Sequence, residues 1–145
     1  MTASVTLATS AQLALVEELL RRAGLPVEGL ADQFPGGYVV VQRAGAVVAC
    51  AGLEVYGTCG LLRSVAVQPE LRREGLGRAL VAKLLDRARE LRLEAVYLLT
   101  TTATDYFPRL GFRPVARAAV PEALARAPEL ANICPSSATV FVFPL

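Results

Sequence analysis

Arg72-Arg73-Glu74-Gly75-Leu76-Gly77 stands between an apolar run over 61–67 and a helical pattern over 75–91. Two glycines at this spacing let a turn aim several backbone N–H groups at one point, and the helix that follows adds the positive end of its dipole. The product is an anion cradle suited to a pyrophosphate. Two other residues have types and places that could do chemistry. Glu54 closes a strand beside a turn, where a carboxylate can take a proton from an ammonium directly or through water. Arg63 is a charge inside an otherwise apolar strand, a costly placement unless it pairs or grips a ligand such as a substrate carboxylate. Folding the chain about Gly57 and Thr58 brings Glu54 opposite Leu62 or Arg63, so a cross-strand ion pair accounts for both charges equally well.

These residues need elements to hold them. A strand over 5–8 leads into Thr9-x-x-Gln12, a capping box, and then into Leu13, Val16, Leu19 and Leu20 at helical spacing, with Gly24 ending that helix near Ala23. Proline and glycine punctuate residues 25–35, which can hold at most a short helix and read as a mobile lid. Strands over 38–41, 47–55 and 61–67, joined by turns at Arg43-Ala44-Gly45 and 56–60, form an antiparallel meander that Pro69 stops. In the next helix Leu76, Leu80, Leu84, Leu85, Ala88 and Leu91 trace one face. A strand over 95–100 follows and should lie parallel to 61–67, as a crossover through a helix requires. Residues 104–110 then make a brief helix ended by Gly111, 112–116 a strand, 121–130 a helix and 138–143 a last strand. The alternation describes one mixed α/β layer structure spanning 1–145.

A chain of 145 residues with this apolar content can build a single core without disulfides or a structural metal. Histidine is absent and Cys50, Cys59 and Cys134 are widely spaced, which argues against zinc sites and any histidine-dependent triad. Cys50, in an apolar strand, reads as a small buried residue. The arginines are scattered along helices, with no basic run interleaved by aromatics, so nucleic acid is not an expected partner. No apolar stretch reaches the roughly 20 residues needed to cross a bilayer, and no signal-peptide pattern opens the chain, so no membrane association and a cytoplasmic location are expected. A small molecule is the expected partner.

The spacing Arg/Gln-x-x-Gly-x-Gly/Ala after a strand resembles the acetyl-coenzyme A loop of the GNAT superfamily of N-acetyltransferases. A Walker loop would need Lys-Ser/Thr after the second glycine, and a Rossmann fingerprint Gly-x-Gly-x-x-Gly; neither is present. Two more pieces of the pattern follow in order. Residues 61–67 resemble the strand whose exposed backbone receives the pantetheine arm, and 103–112, ending Leu110-Gly111-Phe112, resemble the helix-turn beside the thioester. The resemblance implies a mostly antiparallel central sheet with one parallel, splayed strand pair and flanking helices. It implies acetyl-coenzyme A as co-substrate, no metal, and direct attack by a small-molecule amine. Carried over residue by residue, the backbone of Val65, Ala66 and Val67 meets pantetheine, with the Val65 N–H facing the oxyanion. Arg72, Arg73, Gly75, Leu76, Gly77 and Arg78 surround the phosphates. Thr101 and Phe107 lie beside the cofactor, Arg63 and Tyr56 beside the acceptor, and Glu54 is the candidate base. The family's tyrosine acid falls at Phe107 here. Tyr106 is one residue early, a turn of about 100° on a helix, and the family's usual asparagine is Thr100. The acid is then water, Thr101, Thr102 or Tyr106. Homodimerisation, which the superfamily often shows, would use the last strand or the 121–130 helix.

A narrower likeness rests on Gly24-Leu25-Pro26-x-x-Gly29-Leu30, Gly52-Leu53-Glu54-Val55-Tyr56-Gly57, Leu61-Leu62-Arg63-Ser64, Leu99-Thr100-Thr101-Thr102-Ala103 and Cys134-Pro135-Ser136-Ser137-Ala138. Together these resemble the arsenic-resistance-associated N-acetyltransferases, which implies an amino acid or an amino-bearing organoarsenical as acceptor. Trivalent arsenic held by Cys59 and Cys134 would need the two thiolates brought together. Two other readings share the core: a glutamate N-acetyltransferase of arginine synthesis, and a non-catalytic acyl-coenzyme A binding or arsenic-sensing module.

Overall fold

A computed structural model describes residues 4–127 and 138–145. Its elements are strands β1 (Val5–Leu7), β2 (Tyr38–Arg43), β3 (Ala46–Tyr56), β4 (Cys59–Val67), β5 (Ala95–Thr100), β6 (Arg113–Val115) and β7 (Thr139–Pro144), with helices α1 (Leu13–Arg22), α2 (Leu30–Gln33), α3 (Leu76–Glu90) and α4 (Glu122–Ala125). Among the described residues the strands hydrogen-bond in the order β1-β2-β3-β4-β5-β7-β6. The mixed α/β architecture is the one the sequence implies. Contacts group the chain into two compact units, Met1–Leu53 with Ser64–Asp86, and Glu54–Arg63 with Arg87–Leu145.

In the first unit β1 pairs antiparallel with β2 and β2 with β3. The capping box forms as its residues predict, the Thr9 N–H donating to Gln12 Oε1 at 2.9 Å, and it caps a 3-10 turn that runs into α1. Val16, Leu19 and Leu20 on α1 meet Val40, Val47 and Cys50 from the sheet in one core cluster. The segment read as a lid is seated in that cluster: Leu30 is fully buried, and Leu25, Val27 and Phe34 pack against it. Burying such side chains stabilises the fold by about 1.5–3 kcal/mol each, so apolar contact anchors a stretch whose glycines and prolines suggested looseness.

In the second unit β4 and β5 are parallel over Cys59–Leu61 against Ala95–Tyr97, and β5 pairs antiparallel with β7 along its whole length. β7 also pairs with β6. Both edges of the last strand are thus occupied, which removes it as a sheet-extending dimer edge. Leu61, Leu124 and Ala127 form a small core flanked by Tyr56, Tyr97, Leu99 and Val120. α3 ends in a Schellman turn: Arg92, at φ 59, donates to Arg89 O, and the Leu93 N–H to Ala88 O. Leu91 therefore falls past the helix and is exposed, while Leu93 is buried in its place. The helix expected over 104–110 is a 3-10 turn at Phe107–Leu110, and the strand expected over 112–116 is confined to β6. Of the helix expected over 121–130, α4 is the described part; residues 128–130 and Cys134 lie outside the described residues.

Candidate functional site

The glycine loop reverses its backbone sense twice. Arg72 is extended, Arg73 is left-handed at φ 85 although it carries a side chain, and Gly75 is left-handed at φ 81. The Glu74 N–H between them is used within the loop, donating to Leu71 O at 3.3 Å. The Ala79 N–H bonds Gly75 O at 3.0 Å, so the N–H groups of Leu76, Gly77 and Arg78 precede the first bond of α3. A Cβ built on Gly75 would meet nothing within 4 Å, so no side chain fills the space beside it. Arg73 and Arg78 are exposed, Gly77 is buried, and the Arg72 Nε donates to Val67 O at 3.3 Å. The Glu74 carboxylate accepts from Arg43 Nη2 at 3.0 Å, a partner 31 residues away.

Strand β4 leads into this loop with a defect. Ser64 has φ 59, a left-handed residue in mid-strand, and the thiol of Cys50 donates to Ser64 O at 3.2 Å. Burial pushes that thiol up to about 12, partly opposed by a bond from the Ala66 backbone to its sulfur. Ala66 is buried, whereas Val65 and Val67 are half-buried.

In the second unit Glu54, Tyr56 and Arg63 converge. Arg63 Nη1 donates to Glu54 Oε2 at 3.0 Å, and the Tyr56 hydroxyl to Glu54 Oε1 at 2.8 Å. Glu54 is 4% and Arg63 8% exposed. The cross-strand pair weighed from the sequence is present, and it is buried, so losing one partner would strand the other's charge. Both carboxylate oxygens are engaged; a proton reaching Glu54 arrives most directly along the Tyr56 bond.

Elsewhere in that unit, Phe107 is buried in an aromatic series: Tyr106–Phe107 centroids are 5.2 Å apart, Phe107–Phe112 5.8 Å and Phe112–Phe143 5.3 Å. Tyr106 caps the 3-10 turn and is half-buried, while Thr101 is exposed in the bend after β5. Thr100 takes no place in the core; its Oγ1 accepts from the Ala103 N–H at 2.9 Å and the Thr102 N–H at 3.3 Å, folding that bend. Burial also raises the Cys59 thiol.

Sequence reasoning missed Arg43 beside Glu74, the left-handed Ser64 in mid-strand and the Cys50 thiol bonded to its carbonyl.

A model of the acetyltransferase (GNAT) family matches residues 10–112. The amino-acid acetyltransferase of Ectopseudomonas mendocina (strain ymp) is 35% identical over 109 residues, which are 74% of this chain and 24% of that protein. The chain thus spans about a quarter of the length of such relatives. N-acetylglutamate synthase from Neisseria gonorrhoeae, solved with coenzyme A and N-acetyl-glutamate, superposes with a TM-score of 0.85 at 20% identity, over 100% of this chain and 35% of that one. Rv2747 from Mycobacterium tuberculosis, in complex with CoA and NLQ, gives 0.82 at 23% identity over 98% and 99% of the two chains. These two likenesses are likenesses of fold.

Proposed function

The chain belongs to the acetyltransferase (GNAT) family, and from that premise we propose that it moves the acetyl group of acetyl-coenzyme A to the primary amine of a small molecule, an amino acid or a related amino-bearing compound. The observation that carries this reading is the open loop in which Arg73 and Gly75 are left-handed ahead of the first turn of α3. In the reaction, the amine nitrogen forms a bond to the acetyl carbon, the carbon–sulfur bond breaks, the nitrogen gives up a proton and the thiolate gains one. The Arg72–Arg78 loop holds the diphosphate, the β4 backbone at Val65, Ala66 and Val67 lies along the pantetheine, and the Val65 N–H donates to the developing oxyanion. Tyr56 contacts the acceptor and relays its proton to Glu54, to which its hydroxyl already donates. Arg63 holds that carboxylate, and its positive charge favours an acidic group on the acceptor. Thr101 and Phe107 flank the acyl carrier, and Tyr106 protonates the departing thiolate.

Amino-acid acceptors are supported by the name of the 35%-identical relative. Acetylation of glutamate is the second reading, favoured by the same name and by the N-acetylglutamate synthase of like fold. The link to arsenic resistance belongs to the proposal through an amino-bearing arsenical as acceptor, as do a cytoplasmic location and a homodimer. Among the described residues no helix is long and apolar enough to cross a membrane.

The test is thiol release from acetyl-coenzyme A with a panel of amino acids, polyamines, aminoglycosides and amino-bearing arsenicals, with and without arsenite. Release with one small amine supports the proposal, and release with glutamate alone selects the second reading. Coenzyme binding with no release across the panel would replace both with a non-catalytic acyl-coenzyme A module.

A further inference from the structure

The loop assigned to the diphosphate carries a negative charge at its centre. Glu74 lies between the two left-handed residues, Arg73 and Gly75, two residues ahead of the first N–H of α3, so a diphosphate seated on that helix start would have a carboxylate as near neighbour. Like charges a few ångströms apart oppose binding unless one is compensated. Compensation is present: Arg43 Nη2 lies 3.0 Å from Glu74 Oε1. Arg43 is the last residue of β2, paired with Ala46 across a turn in which Ala44 and Gly45 are both left-handed, the tight hairpin type that matches strand twist. Its side chain is thus delivered from a fixed hairpin. The two side chains are 43% and 45% exposed, and ion pairs this open contribute little to folding. What the pair changes is the field inside the loop.

On the reading that this loop receives the diphosphate of acetyl-coenzyme A, we infer that Arg43 is a positioning residue for the coenzyme, acting by neutralising Glu74 and holding its carboxylate against the β2–β3 hairpin. Arg43 itself need not touch phosphate. The field inside the loop is then more positive with the hairpin's charge in place than without it.

The experiment is titration calorimetry of the full chain with coenzyme A, for the natural protein and for Arg43→Ala, Glu74→Gln and the double variant. It is run at about 0.1 M and about 1 M salt, where the screening length falls from about 10 Å to about 3 Å. Arg43→Ala should weaken binding about three- to fivefold at the lower salt, with most of the loss gone at the higher. Glu74→Gln should bind as tightly as the natural protein or tighter, and the double variant, whose pair again sums to zero charge, should match the natural protein. Thermal midpoints close to that of the natural protein separate these effects from misfolding. An unchanged affinity in Arg43→Ala overturns the inference. So does a loss that the double variant does not rescue, which would mean direct contact between Arg43 and phosphate. A loss in Glu74→Gln equal to that in Arg43→Ala also overturns it, because the pair would then be a mechanical brace. Failure of the natural protein to bind coenzyme A would overturn the functional reading itself, and this inference with it.

Discussion

Arg63 and Glu54 illustrate how far a single residue can be read from sequence. A charge inside the run over 61–67 had to pair or bind, and the hairpin register left Glu54 facing Leu62 or Arg63; the structure pairs it with Arg63 at 3.0 Å with both side chains buried. Tyr56 as the third member was within reach of the sequence, because residues two apart on a strand share a face and its hydroxyl reaches Glu54 in that way; the sequence reading gave it to the acceptor instead. Replacing Arg63 with alanine should destabilise the fold by about 3–5 kcal/mol, the cost of leaving a buried carboxylate without its counter-charge. Glu54→Gln keeps the shape of the site and should lower turnover strongly while leaving coenzyme A affinity nearly unchanged. Denaturant titration checks the first expectation and steady-state kinetics with calorimetry the second; unchanged turnover would remove Glu54 from the mechanism. Cys50 gives a pH expectation. Its thiol is raised by burial from 9.0 to about 12, so between those values the unfolded chain releases a proton that the folded chain keeps. Stability should therefore fall as pH rises through that window and be unaffected by this group below it. Cys50→Ala should flatten the alkaline limb of stability against pH.

At the scale of elements, the regular stretches were legible and the irregular ones were not. β5 was read from its apolar β-branched run to the residue, and α3 from its apolar face to within a turn. Their interiors are set by periodicity, which the chain displays openly. Ser64 in mid-strand, Arg73 in the loop and Arg92 at the helix end all place side-chain-bearing residues at positive φ, where glycine is the usual marker, so tertiary context decides them. The pair between Arg43 and Glu74 joins residues 31 apart with no motif between them. The glycine loop was legible because one of its positions, Gly75, has a backbone that calls for glycine. Gly75 sits at φ 81 with open space around it, whereas Gly111 sits at φ 98 with Phe143 Cε2 only 2.9 Å from where a Cβ would stand. Gly75→Ala should then cost about 1–2 kcal/mol of stability, the left-handed penalty alone, yet weaken coenzyme A binding clearly. Gly111→Ala adds a clash and should destabilise more. Urea unfolding of the two variants, with calorimetry on the first, separates backbone strain from packing.

For the molecule as a whole, the alternation of strands and helices was enough to fix an α/β class and to anticipate the parallel pairing of β4 with β5 across a helix. The glycine spacing was legible as a loop of unusual backbone, its assignment to a diphosphate belongs to the proposal, and no spacing identifies an acceptor. The chain also has no tryptophan and four tyrosines, so its near-ultraviolet emission comes from phenols alone. Light turns a phenol into a far stronger acid, and one whose hydroxyl already points at a carboxylate hands over its proton before it can emit. The Tyr56 bond to Glu54, at 2.8 Å, should leave that ring dark in the natural protein. Glu54→Gln should restore the glow of one tyrosine in four, so fluorimetry can watch that bond open as candidate acceptors are titrated in.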